Sequence, residues 1–135
     1  KRVNFLEETF ALLKLENITA IHGRAEEFAK NKAYREQYDL CVSRAVSNLA
    51  TLSEYCLPYV KVGGNFISYK SGTVQEELQQ AEKAVKILGG KIQDVVYFNL
   101  PDSEIQRSLV VIEKMKPTPG RYPRKAGTPL KEPLS

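Results

Sequence analysis

The sequence predicts an α/β fold built on a mostly parallel sheet, and two observations carry this prediction. Segments with helical spacing of apolar residues alternate along the chain with short apolar runs that are typical of buried strands. Residues 38–70 in particular predict a strand, a polar turn, an amphipathic helix, a glycine-containing turn and a second strand. That order is one βαβ unit, and sheets built from such units bind ligands at the carboxyl ends of their strands.

The amino-terminal third predicts one helix and one short strand. Its first apolar residues recur at three- and four-residue spacing, which predicts an amphipathic helix over residues 3–15. A short apolar strand is expected at residues 18–22, and a polar loop with a helical turn at residues 29–37.

The middle of the chain continues this alternation. Residues 40–43 form an apolar run with little alternation, as expected of a strand covered by helices on both faces. Residues 49–60 carry apolar residues at helical spacing, and Ser47 or Asn48 is suited to cap this helix.

Two glycine pairs, Gly63-Gly64 and Gly89-Gly90, are expected to end helices in the rest of the chain. Gly63-Gly64 is expected to end the helix and to start a strand at residues 65–69. A third amphipathic helix over residues 74–88 precedes two further strands, at residues 92–98 and 108–114. The link between these strands is too short for a helical crossover, so they are expected to pair as an antiparallel hairpin.

Composition places the 135-residue chain among ordinary globular proteins, as one domain or part of one. No apolar run approaches the roughly 20 residues that span a bilayer, so no membrane partner is expected. Because the chain starts with Lys1 inside a periodic helix, it is expected to be the later part of a longer protein. Cys41 and Cys56 form no metal-ligand set and suggest buried, reduced thiols, which favour a cytoplasmic location.

The chain divides into a body at residues 1–116 and a basic, proline-rich tail at residues 117–135. Five of the seven prolines lie in the tail, and proline excludes a core helix or a central strand. An extended basic segment suits a polyanion such as RNA, but it is also typical of a solvated, disordered terminus. The candidate phosphate contacts are Lys70, Arg121, Arg124 and Lys125, with Tyr122 available to stack on a base.

A polar, cationic cluster marks the candidate ligand site. Ser43-Arg44-Ala45 follows the strand at residues 40–43 directly, where a parallel sheet keeps its site. No glycine-rich strand-to-helix turn lies upstream to cradle a nucleotide-like ligand. His22, the one histidine, is more often structural at a strand end than catalytic.

Four stretches of sequence resemble a known family. They are KRVNFLEETFALLKLENI, HGRAEEF, YDLCVSRAVSNLATLSEYCLPYVKVGGNFISYK and the ending YPRKAGTPLKEP. Together they resemble the bacterial small-subunit ribosomal RNA methyltransferase G family, long called glucose-inhibited division protein B. The resemblance covers essentially the whole chain in the same order.

The resemblance implies a Rossmann-like, S-adenosylmethionine-dependent methyltransferase fold whose first strands are absent from this chain. It also implies methyl transfer to N7 of guanine 527 in 16S ribosomal RNA, with that RNA or the small ribosomal subunit as partner. The family's cofactor residues fall on Ala25, Glu26 and Arg44, while its glycine-rich loop has no counterpart here. No catalytic side chain is expected, because guanine N7 carries a free lone pair and no proton. No metal is expected, because the acidic residues and the single histidine never cluster with ligand spacing.

Other interpretations of the same residues stay open. Residues 24–28 are also typical of a capped turn that leads into a short helix, and Arg44 could form a surface ion pair with Glu26 or Glu27. A non-catalytic RNA-binding fragment, or another nucleotide-binding enzyme such as a dehydrogenase, would use a similar sheet. Without the missing strands, residues 18–22 would have no neighbour, so the isolated chain is expected to be unstable or prone to aggregation.

Overall fold

The computed structural model describes residues 2–44, 47–72 and 74–135, so Ala45 of the Ser-Arg-Ala turn lies outside the described part. The helices are Arg2–Leu12 (α1), Ala25–Phe28 (α2), Leu49–Cys56 (α3), Gln75–Ile87 (α4) and Thr128–Lys131 (α5). The strands are Tyr38–Arg44 (β1), Val60–Ser71 (β2), Gly90–Asn99 (β3) and Gln106–Lys114 (β4).

The strands form one sheet in the order β1-β2-β4-β3. β1 pairs with β2 in parallel, and β4 pairs antiparallel with both β2 and β3. Three strands therefore run in one direction and β4 runs against them. This confirms the predicted mostly parallel sheet with an antiparallel hairpin at its carboxyl-terminal end.

The core lies between the sheet and helices α3 and α4. Residues at alternate positions of β4, from Ser108 to Lys114, face this core and are buried, as the two-residue period of a strand requires. Apolar side chains buried in this core include Leu49, Leu52, Leu57, Val60, Phe66, Val74, Val85, Leu88, Val110, Ile112 and Tyr122.

Local signals mark the start of α3 and the end of α4. The side chain of Asn48 accepts a hydrogen bond from the Thr51 amide at 2.9 Å, so Asn48 rather than Ser47 caps α3. Gly89 follows α4 with a φ of +93°, a left-handed conformation that favours glycine. A side chain there would also collide with the backbone of Lys116, which confirms the predicted stop.

The role predicted for Gly63-Gly64 is wrong. β2 already starts at Val60, so both glycines lie inside the strand and the helix has ended before them. A side chain on Gly64 would collide with the backbone carbonyl of Asp39 in β1, and the register of the two strands shifts at this point. The glycines therefore allow an irregular, close pairing between β1 and β2.

The helix predicted at the amino terminus is present but ends earlier than expected, and the strand predicted after it is absent from the described residues. α1 ends at Leu12 and buries none of its residues, and residues 18–22 form no strand, since their backbone has no ladder partner among the described residues. The prediction that helices cover both faces of β1 is also wrong, since Leu40 and Val42 on one face are 53% and 55% exposed.

None of the described helices is long and apolar enough to cross a membrane.

The tail folds back onto the body of the protein. Tyr122, Pro123 and Pro129 are buried, and the short helix α5 packs near α3. Proline does exclude a long helix or a strand here, but the expectation of an extended, solvated segment is wrong. The reason lies in charged side chains of the body that bind the tail backbone, as described below.

Candidate functional site

A cavity of about 470 Å³ lies between β1 and the segment around α2. Its wall is mostly aromatic and aliphatic: Ile21, Gly23, Ala25, Phe28, Tyr34, Tyr38, Leu40, Cys41, Val42 and Tyr59. The predicted cofactor residue Ala25 forms part of this wall, whereas Glu26 and Arg44 do not.

Tyr59 holds the backbone of Ala25 in place. The Tyr59 hydroxyl donates a hydrogen bond to the Ala25 carbonyl oxygen at 2.6 Å. Burial of the phenol, with smaller contributions from the two cysteine thiols and Glu26, raises the pKa of Tyr59 to about 12. The hydroxyl therefore keeps its proton and its bond to Ala25 throughout the neutral range.

Glu26 is buried against the tail. Its side chain is 5% exposed, and its Oε2 accepts a hydrogen bond from the Gly127 amide at 2.9 Å. The Nε atom of Arg24 lies 3.8 Å from the same oxygen. α2 is the short helix expected at this place, but Arg24 at its amino-terminal end provides no side-chain cap.

Arg44 is exposed at the carboxyl end of β1, where it lies opposite Tyr69 of β2. Within the described ranges it forms no ion pair with Glu26 or Glu27; Arg24 takes that place instead. The structure thus brings Ala25 and Glu26 together in α2 and leaves Arg44 separate at the strand end.

Lys70 lies in a second, polar cavity of about 640 Å³ near the carboxyl end of β2. Its Nζ atom is 2.7 Å from Glu77 Oε2 and donates a hydrogen bond to the Ser47 carbonyl oxygen, also at 2.7 Å. Only 10% of the side chain is exposed, so the ammonium group contacts Glu77 and the Ser47 carbonyl rather than solvent.

The basic residues of the tail fall into two groups. Arg121 and Lys125 are exposed, with the Arg121 guanidinium 5.2 Å from the centre of the Tyr122 ring. Tyr122 itself is buried, so its predicted stacking on a base is wrong. Arg124 instead binds Glu54, with its terminal nitrogen 2.9 Å from Oε1, and these hydrogen bonds raise the pKa of Arg124.

Sequence reasoning missed two sets of charged residues. Arg35, Glu36 and Glu54 bind the tail, and Lys114 lies at the end of β4. Lys114 is fully buried, donates to the carbonyl oxygens of Leu57 and Val60 at 2.7 and 2.8 Å, and lies 3.0 Å from Glu36 Oε2. Burial lowers the pKa of Lys114, against the opposing effect of Glu36. Its inward-facing position in β4 was readable from the alternation of that strand.

The two cysteines are free and half-buried. A hydrogen bond between their side chains lowers the pKa of Cys41, which lines the apolar cavity, and raises that of Cys56. Among the described residues, no group of histidine, cysteine, aspartate and glutamate side chains has the arrangement of a metal site.

Two solved structures show which fold this chain has. The chain is similar to M. jannaschii TYW2 in complex with AdoMet, with a TM-score of 0.58 and 13% identity over 84% of this chain and 53% of that chain. It is also similar to a protein from Pyrococcus horikoshii, with a TM-score of 0.61 and 13% identity over 84% of this chain and 44% of that one. The chain has the Rossmann-like fold of the S-adenosylmethionine-dependent methyltransferases.

Sequence comparison narrows the class to one family. The family model for rRNA small subunit methyltransferase G, GidB, matches residues 1–110. Proteins called ribosomal RNA small subunit methyltransferase G from Lachnoclostridium phytofermentans and Clostridium tetani are 56% and 51% identical over 134 residues, or 99% of this chain. The chain belongs to this family, and it spans 55% and 56% of the length of those two relatives.

Proposed function

We propose that the protein containing this chain transfers the methyl group of S-adenosylmethionine to N7 of guanine 527 in 16S ribosomal RNA. The observation that carries the proposal is the match of residues 1–110 to the GidB family model. The position of the target atom comes from the resemblance to that family.

The chemistry of guanine N7 agrees with a site that lacks an obvious base. N7 carries a lone pair and no proton, so an in-line attack forms the N7–C bond as the sulfonium S–C bond breaks. The bond electrons leave with sulfur, and the cofactor supplies the activated methyl group. The rate enhancement is then expected from proximity and alignment rather than from proton transfer.

Ala25, Glu26 and Arg44 are the residues of this chain that would hold the cofactor. Ala25 is small enough to let a flat ring approach the backbone, and the Glu26 carboxylate can accept a hydrogen bond from an exocyclic amine. Arg44 carries an exposed guanidinium that would bind the cofactor carboxylate through its planar pair of donors.

We assign phosphate contacts first to Arg121 and Lys125, because their side chains are exposed. Lys70 and Arg124 could bind a phosphate only if their ion pairs with Glu77 and Glu54, respectively, were broken. The proposed partner is 16S ribosomal RNA, free or within the small ribosomal subunit, and the proposed location is the cytoplasm.

Methylation of defined RNA tests the proposal. The full-length protein, S-adenosylmethionine and unmodified small subunits should give 7-methylguanosine at position 527, detected by mass spectrometry of nuclease fragments. Absence of that product, with both substrates bound, would reject the assigned reaction.

Arg44→Ala tests the cofactor assignment within the same protein. The variant should weaken S-adenosylmethionine binding by about tenfold or more, as loss of a charge-assisted hydrogen bond does. Arg121→Ala is the matched control, because it removes the same charge from an exposed tail position. Unchanged cofactor affinity in Arg44→Ala would remove Arg44 from the site.

A non-catalytic RNA-binding role is the second candidate for the chain by itself. The observation that favours it is the exposure of the basic tail residues Arg121 and Lys125. In that case the 135-residue chain should bind RNA with a salt dependence set by its basic residues and should not bind S-adenosylmethionine.

A further inference from the structure

We propose that the tail is a positioning element of the cofactor site, in which the Gly127 amide orients the Glu26 carboxylate for the ligand. The proposal rests on the cofactor role proposed for Ala25 and Glu26. It assigns to tail residues 118–129 a task other than RNA binding.

Arg35 and Glu36 bind the beginning of the tail segment 118–129 through its backbone. The Arg35 guanidinium donates to the carbonyl oxygens of Thr118, Pro119 and Tyr122 at 2.8–3.1 Å. Glu36 Oε2 accepts a hydrogen bond from the Thr118 amide at 3.0 Å. The turn that precedes Gly127 is therefore held through its backbone, so side-chain changes on the outer surface leave it in place.

Arg124 fixes the segment a second time, three residues before Gly127. Its backbone amide and its guanidinium both bind the Glu54 carboxylate, at 2.7 and 2.9 Å. Glu54 is fully buried in α3, and a carboxylate buried in this way requires a cation as its partner. Arginine meets the requirement, because its planar donors engage both carboxylate oxygens.

The carbonyl oxygen of Pro129 provides a third anchor, two residues after Gly127. It accepts a hydrogen bond at 2.9 Å from the hydroxyl of Thr51, which is buried in α3. Gly127 itself has a φ of +90°, which favours glycine and turns its amide toward α2. With anchors on both sides, the amide has one defined position.

The Gly127 amide donates a hydrogen bond to only one of the two carboxylate oxygens of Glu26. Both contacts given above, from Gly127 and from Arg24, engage Oε2. Oε1 is therefore the oxygen that remains for a donor such as the exocyclic amine of adenine. Because Oε2 is fixed, Oε1 is presented in one orientation, which lowers the entropy cost of ligand binding.

Arg124→Ala and Lys131→Ala, compared in the full-length protein, test the proposal. Both remove one positive charge from the tail, but Lys131 is exposed and its side chain lies outside the anchors. Arg124→Ala should raise the KM for S-adenosylmethionine roughly threefold to tenfold with kcat unchanged at saturating cofactor, the effect of losing one hydrogen bond. Lys131→Ala should leave that KM unchanged. An unchanged KM in Arg124→Ala would overturn the proposal.

The wild-type protein provides a readout that does not depend on the folding of a variant. In an amide NMR spectrum, titration with S-adenosylhomocysteine should shift the Gly127 signal and leave the Gly120 signal in place, since Gly120 lies in the same tail with open space around it. If the cofactor product binds and Gly127 does not respond, the tail has no positioning role. If the wild-type protein binds neither cofactor form, the proposed function itself fails.

Discussion

Two parts of this chain carry apolar residues at regular spacing, but only one of them buries those residues. In residues 49–135, helices α3 and α4 cover one face of the sheet, and Leu57, Val85 and Leu88 are at most 1% exposed. In residues 2–44, apolar residues in and directly after α1 also recur at helical spacing, yet Leu6 is 41% and Leu13 63% exposed. The difference shows that periodicity specifies the type of an element, whereas burial requires a neighbour to cover it.

Charged residues strengthen the same contrast. The buried side chains of Glu54 and Lys114 join separate elements of the carboxyl-terminal part, and Lys114 also binds Glu36 of the amino-terminal part. α1 buries no residue at all. α1 therefore has no packing partner among the described residues that covers its apolar side chains.

The largest expected effect comes from Lys114→Ala. The substitution leaves the carbonyl oxygens of Leu57 and Val60 without their donor and Glu36 without its cation. We expect a loss of about 3 kcal/mol in the free energy of unfolding of the full-length protein, measured in urea. Lys91→Ala on the exposed side of β3 is the control and should change stability by no more than about 0.5 kcal/mol. Equal effects would show that the buried cation stabilises nothing.

Tyr59→Phe should have an intermediate effect. It removes the hydroxyl that binds the Ala25 carbonyl and should lower stability by about 1 kcal/mol at neutral pH. In the wild-type protein the folded-state pKa is raised from 10.0 to about 12, so the unfolded state loses the proton first and stability falls as pH rises through that range. The phenylalanine variant lacks this loss, so the difference between the two proteins should shrink above pH 10. A constant difference from pH 8 to 11 would contradict the pKa assignment.

Leu12→Ser should have the smallest effect. Leu12 is 83% exposed, so the free energy of unfolding of this 135-residue chain should change by no more than about 0.5 kcal/mol. Leu52→Ala, in the buried face of α3, should cost about 2–5 kcal/mol in the same urea experiment. A large loss in Leu12→Ser would mean that α1 packs on the sheet and that the contrast drawn above is wrong.

Much of the fold could be predicted from local signals. Alternation of apolar residues predicts the β3–β4 hairpin, and helical spacing predicts α4. Gly89, which has a left-handed conformation, marks the end of that helix. The strand at residues 18–22 was wrong because strand formation depends on a partner in space. Gly63-Gly64 was misread as a turn because the close approach of Asp39 is a tertiary contact with no local signal.

The candidate site could be predicted only in part. Motif resemblance pointed to Ala25, Glu26 and Arg44, but no spacing in the sequence indicates that Gly127 lies against Glu26, 101 positions away. Composition likewise grouped Arg124 with the exposed bases of the tail, although it binds a carboxylate of α3. Contacts between distant residues decide whether a charge is available to a ligand.

Hydrogen exchange of the full-length protein, with and without S-adenosylmethionine, tests most directly whether the cofactor binds beside β1. The account predicts slower exchange on cofactor binding at residues 23–28 and in β1, with no change in the β3–β4 hairpin, which lies at the opposite side of the sheet. Protection confined to the hairpin, or absent from both residues 23–28 and β1 in a protein saturated with cofactor, would contradict it.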